Sequence, residues 1–273
     1  MRYIACLYLL LISLATQGAD LTRFIVLDVG EGQSLLVQKD NYAMMIDTGH
    51  AGEIASVLKR LQQYGVNTIE TLVLTHLHPD HASGFFRLHE SFENLIIYHN
   101  CQPLADHVQP DMVRWVRDAL KKNKNAGCIQ AGDVLDFDEI KVSVLWPLRL
   151  DNNNLNQNSL VLSIEFQGAS ILVMGDAGFA AEQHLLDKKI ITGKMDLLVV
   201  GHHGAKDASS EAFISKLKPE YSVVSVNKSN VRGYPSLEVI QRLNKYSGHL
   251  LRTDEQGDLV FMLNDEGKIV YQN

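Results

Sequence analysis

Short apolar runs separated by glycine and aspartate turns follow one another from about residue 22 onward. The runs at 23–29, 34–38 and 42–46 each have the length of one strand, and the turns between them favour a meander. The next segment, 52–64, has apolar residues at helical spacing: Ile54, Val57, Leu58 and Leu61. The chain is therefore predicted to open with three strands and a helix.

The rest of the chain alternates strands and helices. Apolar runs predict strands at 71–74, 95–98, 140–146, 159–166, 170–174, 197–200 and 221–226, and more within 250–271. Helical spacing predicts helices at 82–89, 110–122, 179–186, 211–217 and 237–246. This order indicates mixed sheets covered by helices. The asparagine-rich segment 151–158 is predicted to be a loop, and residues 20–273 are expected to form one domain.

The first nineteen residues differ in pattern from the rest. Arg2 precedes an almost wholly apolar stretch at 4–14, and small and polar residues follow at 15–19. This order is typical of a signal peptide, and the apolar stretch is short for a transmembrane helix. We therefore expect residues 1–19 to direct a secreted or periplasmic protein with no transmembrane anchor in its mature chain. A buried first helix or an uncleaved anchor is the alternative.

Charge and cysteine content add two expectations. The 273 residues are 46% hydrophobic and 21% charged, with a formal net charge of -7, so binding a polyanion requires a local basic patch. Of three cysteines, Cys6 leaves with the predicted signal peptide, and Cys101 and Cys128 remain. These two are able to pair in an oxidising compartment, although their spacing alone does not decide it.

The segment Thr-His-Leu-His-Pro-Asp-His-Ala-Ser-Gly at 75–84 directly follows the predicted strand at 71–74. His76, His78, Asp80 and His81 fall within six residues of one another. Imidazole is a strong ligand for zinc and similar ions, and carboxylate adds an anionic ligand. A surface loop without a metal is the alternative, but it does not explain four ligand-type residues at this spacing.

His-x-His-x-Asp-His after a strand resembles the signature of the metallo-β-lactamase superfamily. Other segments resemble the hydrolase domain of ComEC-family competence proteins; they are Leu-Asp-Val-Gly-Glu-Gly-Gln-Ser at 27–34, Met-Ile-Asp-Thr-Gly at 45–49, Asn-Ser-Leu-Val-Leu at 158–162, Met-Gly-Asp-Ala at 174–177 and Val-Gly-His-His-Gly at 200–204. The resemblance implies an α/β fold, the four-layer αβ/βα sandwich with two mixed sheets, and metals in a cleft at one edge.

The resemblance also implies two divalent ions, zinc rather than manganese. His76 and His78 would bind the first ion, and Asp80 and His81 the second. Asp176 would bridge both, and His203 would complete the second site in preference to His202, although the sequence alone does not separate the two. His202 would then either support a ligand from behind or face the substrate. Asp47 is expected to orient a ligand histidine, with a strand-end cap as the alternative.

Many superfamily members have a further histidine on an intervening strand. His99 and His107 are the candidates here, and neither lies in a matching motif. The ComEC-like branch has an Asn-x-Ser segment in that region, which places Asn158 or Ser159 near the site.

The implied chemistry is hydrolysis by a metal-bound hydroxide that Asp80 helps to orient. We favour a phosphodiester or nucleic acid as substrate, with Lys206, Lys228 and Arg232 holding phosphate oxygens and Asn158 contacting the substrate. Four cations share one face of the helix at 110–122 and its extension, although a solvated face explains them better; they are Arg114, Arg117, Lys121 and Lys124. Aromatic residues that could stack on bases are sparse.

One segment departs from the family. Residues 226–236 resemble a ComEC-like segment that usually ends in Gly-His-Pro, but Tyr234 stands in place of the histidine. If that histidine donates a proton to the leaving group, Tyr234 would do so with a different pH dependence. The alternatives to a phosphodiesterase are a lactone or β-lactam hydrolase and a catalytically silent, metal-binding partner protein.

Overall fold

The computed structural model describes residues 22–103, 110–137, 139–151, 154–229, 231–264 and 266–272. The predicted signal peptide at 1–19 and the candidate ligand His107 lie outside these residues. None of the described helices combines the length and the hydropathy that a membrane span requires.

Fifteen strands are found among the described residues. They are β1 (Thr22–Val26), β2 (Leu35–Lys39), β3 (Tyr42–Ile46), β4 (Thr71–Leu74), β5 (Ile96–His99), β6 (Ala126–Cys128), β7 (Val134–Phe137), β8 (Ile140–Trp146), β9 (Val161–Phe166), β10 (Ala169–Val173), β11 (Leu197–Val199), β12 (Tyr221–Val224), β13 (His249–Arg252), β14 (Leu259–Leu263) and β15 (Ile269–Gln272).

Eight α-helices lie between these strands within the described part of the chain. They are α1 (Ile54–Gln63), α2 (Pro79–Ala82), α3 (Phe85–Ser91), α4 (Asp111–Lys122), α5 (Phe179–Asp187), α6 (Glu211–Leu217), α7 (Leu237–Tyr246) and α8 (Thr253–Gln256). Short 3-10 turns occur at Asn156–Asn158 and Gly201–Gly204.

The strands form two mixed sheets. The first has the order β15-β14-β1-β2-β3-β4-β5-β6, and the second has the order β13-β12-β11-β10-β9-β8-β7. Each begins as an antiparallel meander and continues with parallel strands, β4 to β6 in the first sheet and β11 to β13 in the second. Parallel strands direct their carboxyl ends to one edge of a sheet, where ligand sites commonly form.

Three hydrophobic clusters hold four layers together. One lies between the sheets and joins residues such as Phe24 and Phe261 to Ile164. A second packs α1, α3 and α4 on the first sheet, and a third packs α5, α6 and α7 on the second. Helix α1 buries Ile54, Val57 and Leu61, the stripe that its sequence pattern predicts. The predicted four-layer αβ/βα sandwich with two mixed sheets is confirmed.

Three local predictions were wrong. The helix expected at 82–89 is α3, which begins only at Phe85, and the short helix α2 at Pro79–Ala82 was missed because its sequence is that of the metal-ligand motif. Strands β6 and β7 were missed, since Ala-Gly-Cys lacks a strand pattern and β7 is a half-exposed edge strand. The segment at 253–256, expected to be extended, is the short helix α8.

Cys101 and Cys128 form a disulfide that joins the end of β5 to the end of β6. The neighbouring residues Asn100 and Gln102 donate hydrogen bonds to the carbonyl oxygens of Asn158 and Asp151. The disulfide therefore supports the loop at 151–158, which borders the site described next.

Candidate metal centre

The loop that follows β4 carries the predicted metal ligands. His76 and His81 are fully buried, whereas His78 and Asp80 are partly exposed. Leu77 is buried in the core between the two histidines, and Pro79 starts α2 with the backbone angle that a first helical residue needs. The loop is thus anchored by one apolar side chain while its polar side chains turn toward the cleft.

Two trios of donor atoms meet at this edge of the sandwich. The first consists of His76, His78 and Asp176, and the second of Asp80, His81 and His203. In the first trio, His76 Nε2 lies 3.0 Å from His78 Nδ1 and 3.6 Å from Asp176 Oδ2. In the second, His203 Nε2 lies 3.2 Å from His81 Nε2 and 3.6 Å from Asp80 Oδ2.

Asp176 faces both trios. It follows β10 in the second sheet, and its Oδ2 points toward His76. Its Oδ1 lies 3.1 Å from His81 Nε2 and 3.5 Å from His203 Nε2. One carboxylate therefore lies between the two groups of imidazoles.

The donor set fits divalent cations. Asp176 Oδ1 is buried without a well-aligned hydrogen-bond donor, which is costly unless a cation is bound there. The two close nitrogen pairs, at 3.0 and 3.2 Å, are near the roughly 3.3 Å that two nitrogens about 2.0–2.1 Å from one tetrahedral zinc would have. Imidazole and carboxylate are ligands that zinc prefers.

The electrostatics of the site favour positive charge. Burial alone would lower the pKa of His81, but the carboxylates of Asp176 and Asp47 raise it well above its usual value. Burial and the neighbouring His81 lower the pKa of His76 well below its usual value, so that imidazole is neutral and free to bind a metal. A bound cation would supply, in place of a proton, the positive charge that the carboxylates attract.

Asp47 orients His81. Its buried carboxylate accepts hydrogen bonds from Thr75 N (2.7 Å), Thr75 Oγ1 (2.7 Å) and Gln33 Nε2 (2.8 Å), and lies 2.7 Å from His81 Nδ1. A proton on Nδ1 shared with Asp47 leaves the lone pair of His81 Nε2 pointing into the second trio. Asp47 contacts both the ring of His81 and the backbone that follows β4, so its geometry is compatible with the predicted orienting role and with a strand-end cap.

The two adjacent histidines after β11 face different ways. Both are in the left-handed backbone region, with φ of 49° for His202 and 52° for His203. His203 Nδ1 lies 2.9 Å from the carbonyl oxygen of Ser225, which directs Nε2 into the second trio. His202 Nδ1 lies 2.9 Å from Asp207 Oδ1, and its Nε2 lies 3.9 Å from Asp176 Oδ2. His202 thus borders the donor trios from the cleft side.

The loop at 151–158 contributes a residue that the sequence did not single out. Asn158, predicted to contact substrate, is fully buried and uses its side chain to close the loop on the backbone of Asp151. Its amide is therefore occupied. Asn156 instead reaches the site, with Nδ2 3.0 Å from His202 Nε2, while its Oδ1 is buried without a partner. Only the asparagine-rich composition of this loop hinted at such a contact.

His99 is not brought to the donor trios. It is buried beside the disulfide, and its Nδ1 accepts a hydrogen bond from Cys101 N. Burial lowers the pKa of His99 to about 4. Among the described residues, the first trio therefore gains no further histidine from an intervening strand, and His107 lies outside them.

The cations predicted to hold phosphate are placed unequally. Arg232 and Lys206 border the cleft, the first paired with Glu31 at 3.0 Å and the second with Glu238 at 3.4 Å. Lys228 is exposed and is not among the residues that line the cleft beside Arg232 and Lys206. On α4, Arg114 pairs with Asp111 in the described structure, consistent with a solvated helix face, although α4 packs against α2.

The sequence model of the metallo-β-lactamase superfamily matches residues 27–226. The chain belongs to this superfamily. The match spans the loop after β4, Asp176 and both histidines after β11. A metallo-β-lactamase fold with these donors indicates a metal-dependent hydrolase.

Two relatives confirm the predicted likeness to competence proteins. ComE operon protein 3 of Bacillus subtilis is 28% identical over 256 residues, which cover 86% of this chain and 32% of the relative. Competence protein ComA of Neisseria gonorrhoeae is 30% identical over 243 residues, which cover 89% of this chain and 32% of that protein. The chain spans about a third of the length of these relatives.

Solved structures agree on the fold. The metallo-β-lactamase fold protein YhfI from Bacillus subtilis superimposes with a TM-score of 0.58 at 13% identity, covering 89% of this chain and 100% of that one. A diphosphatase of the PhnP family has a TM-score of 0.52 at 14% identity, with 89% and 98% coverage. At such identities the likeness establishes the shared sandwich only.

Gly32 lies in the turn between β1 and β2 and packs closely against Asp80 in the loop that follows β4. Its φ is +137°, and a β-carbon there would lie 2.2 Å from the carbonyl oxygen of Asp80. We expect Gly32→Ala to cost about 2 kcal/mol or more of unfolding free energy and to weaken metal binding about tenfold, because Asp80 must shift. Urea denaturation and metal titration measure the two effects.

A matched control is Gly65, which has a φ of +70° and open space around its α-carbon. Gly65→Ala introduces backbone strain of about 1 kcal/mol without a clash, and metal affinity should not change. Equal metal affinity in the two variants would contradict the coupling between Gly32 and Asp80.

Proposed function

We propose that this chain is a secreted or periplasmic phosphodiesterase that holds two divalent ions, zinc rather than manganese, and cleaves nucleic acid or nucleotide esters. The observation that carries the proposal is the division of six donor side chains into two trios with Asp176 facing both. Paired divalent ions clamp the attacking and leaving oxygens of a phosphoryl group in many phosphatases and nucleases.

Ions held by these trios would lower the pKa of a bound water and stabilise negative charge on the attacked phosphate. Asp80, whose pKa is held low by His203 and His81 despite burial, stays ionised and can orient that water. His202 Nδ1 is held by Asp207, and its Nε2 lies 3.0 Å from Asn156 Nδ2, which donates to it in this geometry. When Asn156 turns its amide to a phosphate oxygen, His202 Nε2 is exposed to the cleft and can move a proton to the leaving oxygen.

Two further features support a phosphodiester over a lactone or a β-lactam. The cleft is bordered by Lys206, which pairs with the exposed Glu238, and by Arg232, which pairs with the partly exposed Glu31; a phosphate can displace such surface pairs. The relatives named above are ComEC-family competence proteins, in line with the resemblance on which the expectation of a phosphodiester substrate is based. The predicted signal peptide supports an extracytoplasmic location.

The test is hydrolysis by the protein lacking residues 1–19. Bis(p-nitrophenyl) phosphate, single-stranded DNA and nitrocefin would each be offered with Zn²⁺ or Mn²⁺, beside a His76→Ala/Asp80→Ala variant. We expect zinc-dependent cleavage of the first two substrates that is lost in the variant. Turnover of nitrocefin alone would replace the proposal with a β-lactam hydrolase. Bound zinc with no turnover of any substrate would favour a silent metal-binding protein.

A further inference from the structure

Two cavities border the metal centre, and their chemistry differs. One, of about 430 Å³, is lined by the carboxylates of Glu31, Glu53 and Asp80 together with Arg232. The other, of about 330 Å³, lies on the His202 side and is lined by Lys206, Arg232 and Asp207 together with Tyr234. Negative charges are in excess in the first cavity and positive charges in the second, so a polyanion is better accommodated in the second.

The second cavity has an aromatic wall. The rings of His202 and Tyr234 meet edge to face, with centroids 5.6 Å apart and planes at 61°. Tyr234 is partly exposed and is one of the residues that line this cavity. Flat aromatic surfaces beside cations are the usual means of holding a base next to its phosphate.

The segments that carry His202 and Tyr234 contact each other directly. Ser236 N donates a hydrogen bond to the carbonyl oxygen of Gly204 at 2.9 Å, which ties the segment bearing Tyr234 to the turn bearing His202. A β-carbon on Gly204 would lie 2.5 Å from Pro235 Cβ, so the two segments are in direct backbone contact. These contacts hold the segment bearing Tyr234 against the turn that carries His202 and His203.

We propose that this cavity binds the nucleoside of the substrate, with the base stacked on the ring of Tyr234 and the phosphate directed to the cations that the two donor trios would hold. The inference rests on the proposed phosphodiesterase function and adds a nucleoside requirement to it. It also changes the role expected for Tyr234, from proton donor to stacking surface. Burial raises the pKa of Tyr234 above its usual value, which makes its hydroxyl a poor acid at neutral pH.

The first experiment compares two esters of one leaving group. Thymidine 5′-(p-nitrophenyl phosphate) carries a nucleoside, and methyl p-nitrophenyl phosphate does not. We expect Tyr234→Ala and Tyr234→Leu to lower kcat/KM for the thymidine ester at least tenfold relative to the methyl ester, mainly through KM. Tyr234→Phe keeps the ring and should keep the ratio. Thermal melting verifies that each variant folds.

Two outcomes would overturn the inference. Equal losses on both esters in Tyr234→Phe would show that the hydroxyl acts on the chemistry itself. An unchanged ratio in Tyr234→Ala would show that no base contacts the ring. Trp115→Ala removes an exposed aromatic side chain on α4 and serves as a control for general nucleic-acid contact.

A binding measurement separates this inference from the proposed function. If the zinc-loaded wild type hydrolyses neither ester, the phosphodiesterase proposal fails, and calorimetry with thymidine 5′-monophosphate and with inorganic phosphate decides the cavity. Binding of the nucleotide at least tenfold tighter than phosphate, lost in Tyr234→Ala, supports the nucleoside site. Equal affinities for the two ligands would overturn it.

Discussion

Replacing Asp176 with asparagine is expected to lower zinc-dependent phosphodiester hydrolysis about 1000-fold. The carboxylate lies between both trios, with one oxygen toward His76 and the other toward His81 and His203. Asparagine has the same shape but lacks the negative charge, and its amide nitrogen would face a cation. Both trios lose charge at once, so the effect should exceed that of losing a ligand that serves one trio.

The measurement is kcat/KM for bis(p-nitrophenyl) phosphate together with bound zinc per chain by mass spectrometry. Bound zinc should fall to well under half of the wild-type content. Asp136→Asn, an exposed carboxylate on β7, is the matched control and should leave both quantities unchanged. An Asp176→Asn protein with full zinc content and wild-type turnover would remove the basis for a bridging carboxylate.

Asp47→Asn is expected to weaken zinc binding 10- to 100-fold without removing any ligand. The side chain accepts three hydrogen bonds and holds Nδ1 of His81 at 2.7 Å. An asparagine amide at that position donates to Nδ1, which moves the imidazole proton to Nε2. His81 would then point an N–H, instead of a lone pair, into the second trio.

Competition of the protein with a chelator of known affinity measures this change. Raising the zinc concentration should restore activity in Asp47→Asn but not in Asp176→Asn, because only the second variant lacks a ligand. Asp196→Asn is the control, since Asp196 also accepts from a backbone N–H and a hydroxyl, those of Ser170, at the opposite end of β11. Activity that zinc does not restore would mean that Asp47 has a role beyond orienting His81.

The sequence predicts best what is encoded locally. His76, His78, Asp80 and His81 lie in one loop after one strand, so their convergence needs no knowledge of the rest of the fold. In the same way, the buried face of α1 was predicted from the spacing of its apolar residues, and β3 from a short apolar run. The assignment of distant residues such as Asp176 came from the family resemblance, and the structure brings it beside those four.

Contacts between segments far apart in sequence could not be predicted. Nothing in the pattern around residue 156 distinguishes Asn156, which meets His202, from Asn158, which closes its own loop. The pairing of His202 with Asp207 and the edge-to-face contact with Tyr234 depend on how two turns of the second sheet meet. Aromatic residues are sparse in the sequence, yet the fold places one of them beside the metal centre.

Each trio takes two side chains from the loop after β4, in the first sheet, and one from the second sheet. A chain whose sheets have not docked therefore offers only incomplete ligand sets and cannot hold an ion tightly. If these trios hold metal ions as proposed, tight metal uptake requires docked sheets, and full metal content would report correct assembly. Chelation should correspondingly lower the free energy of unfolding of the whole sandwich, because it removes ligand bonds that join the two sheets.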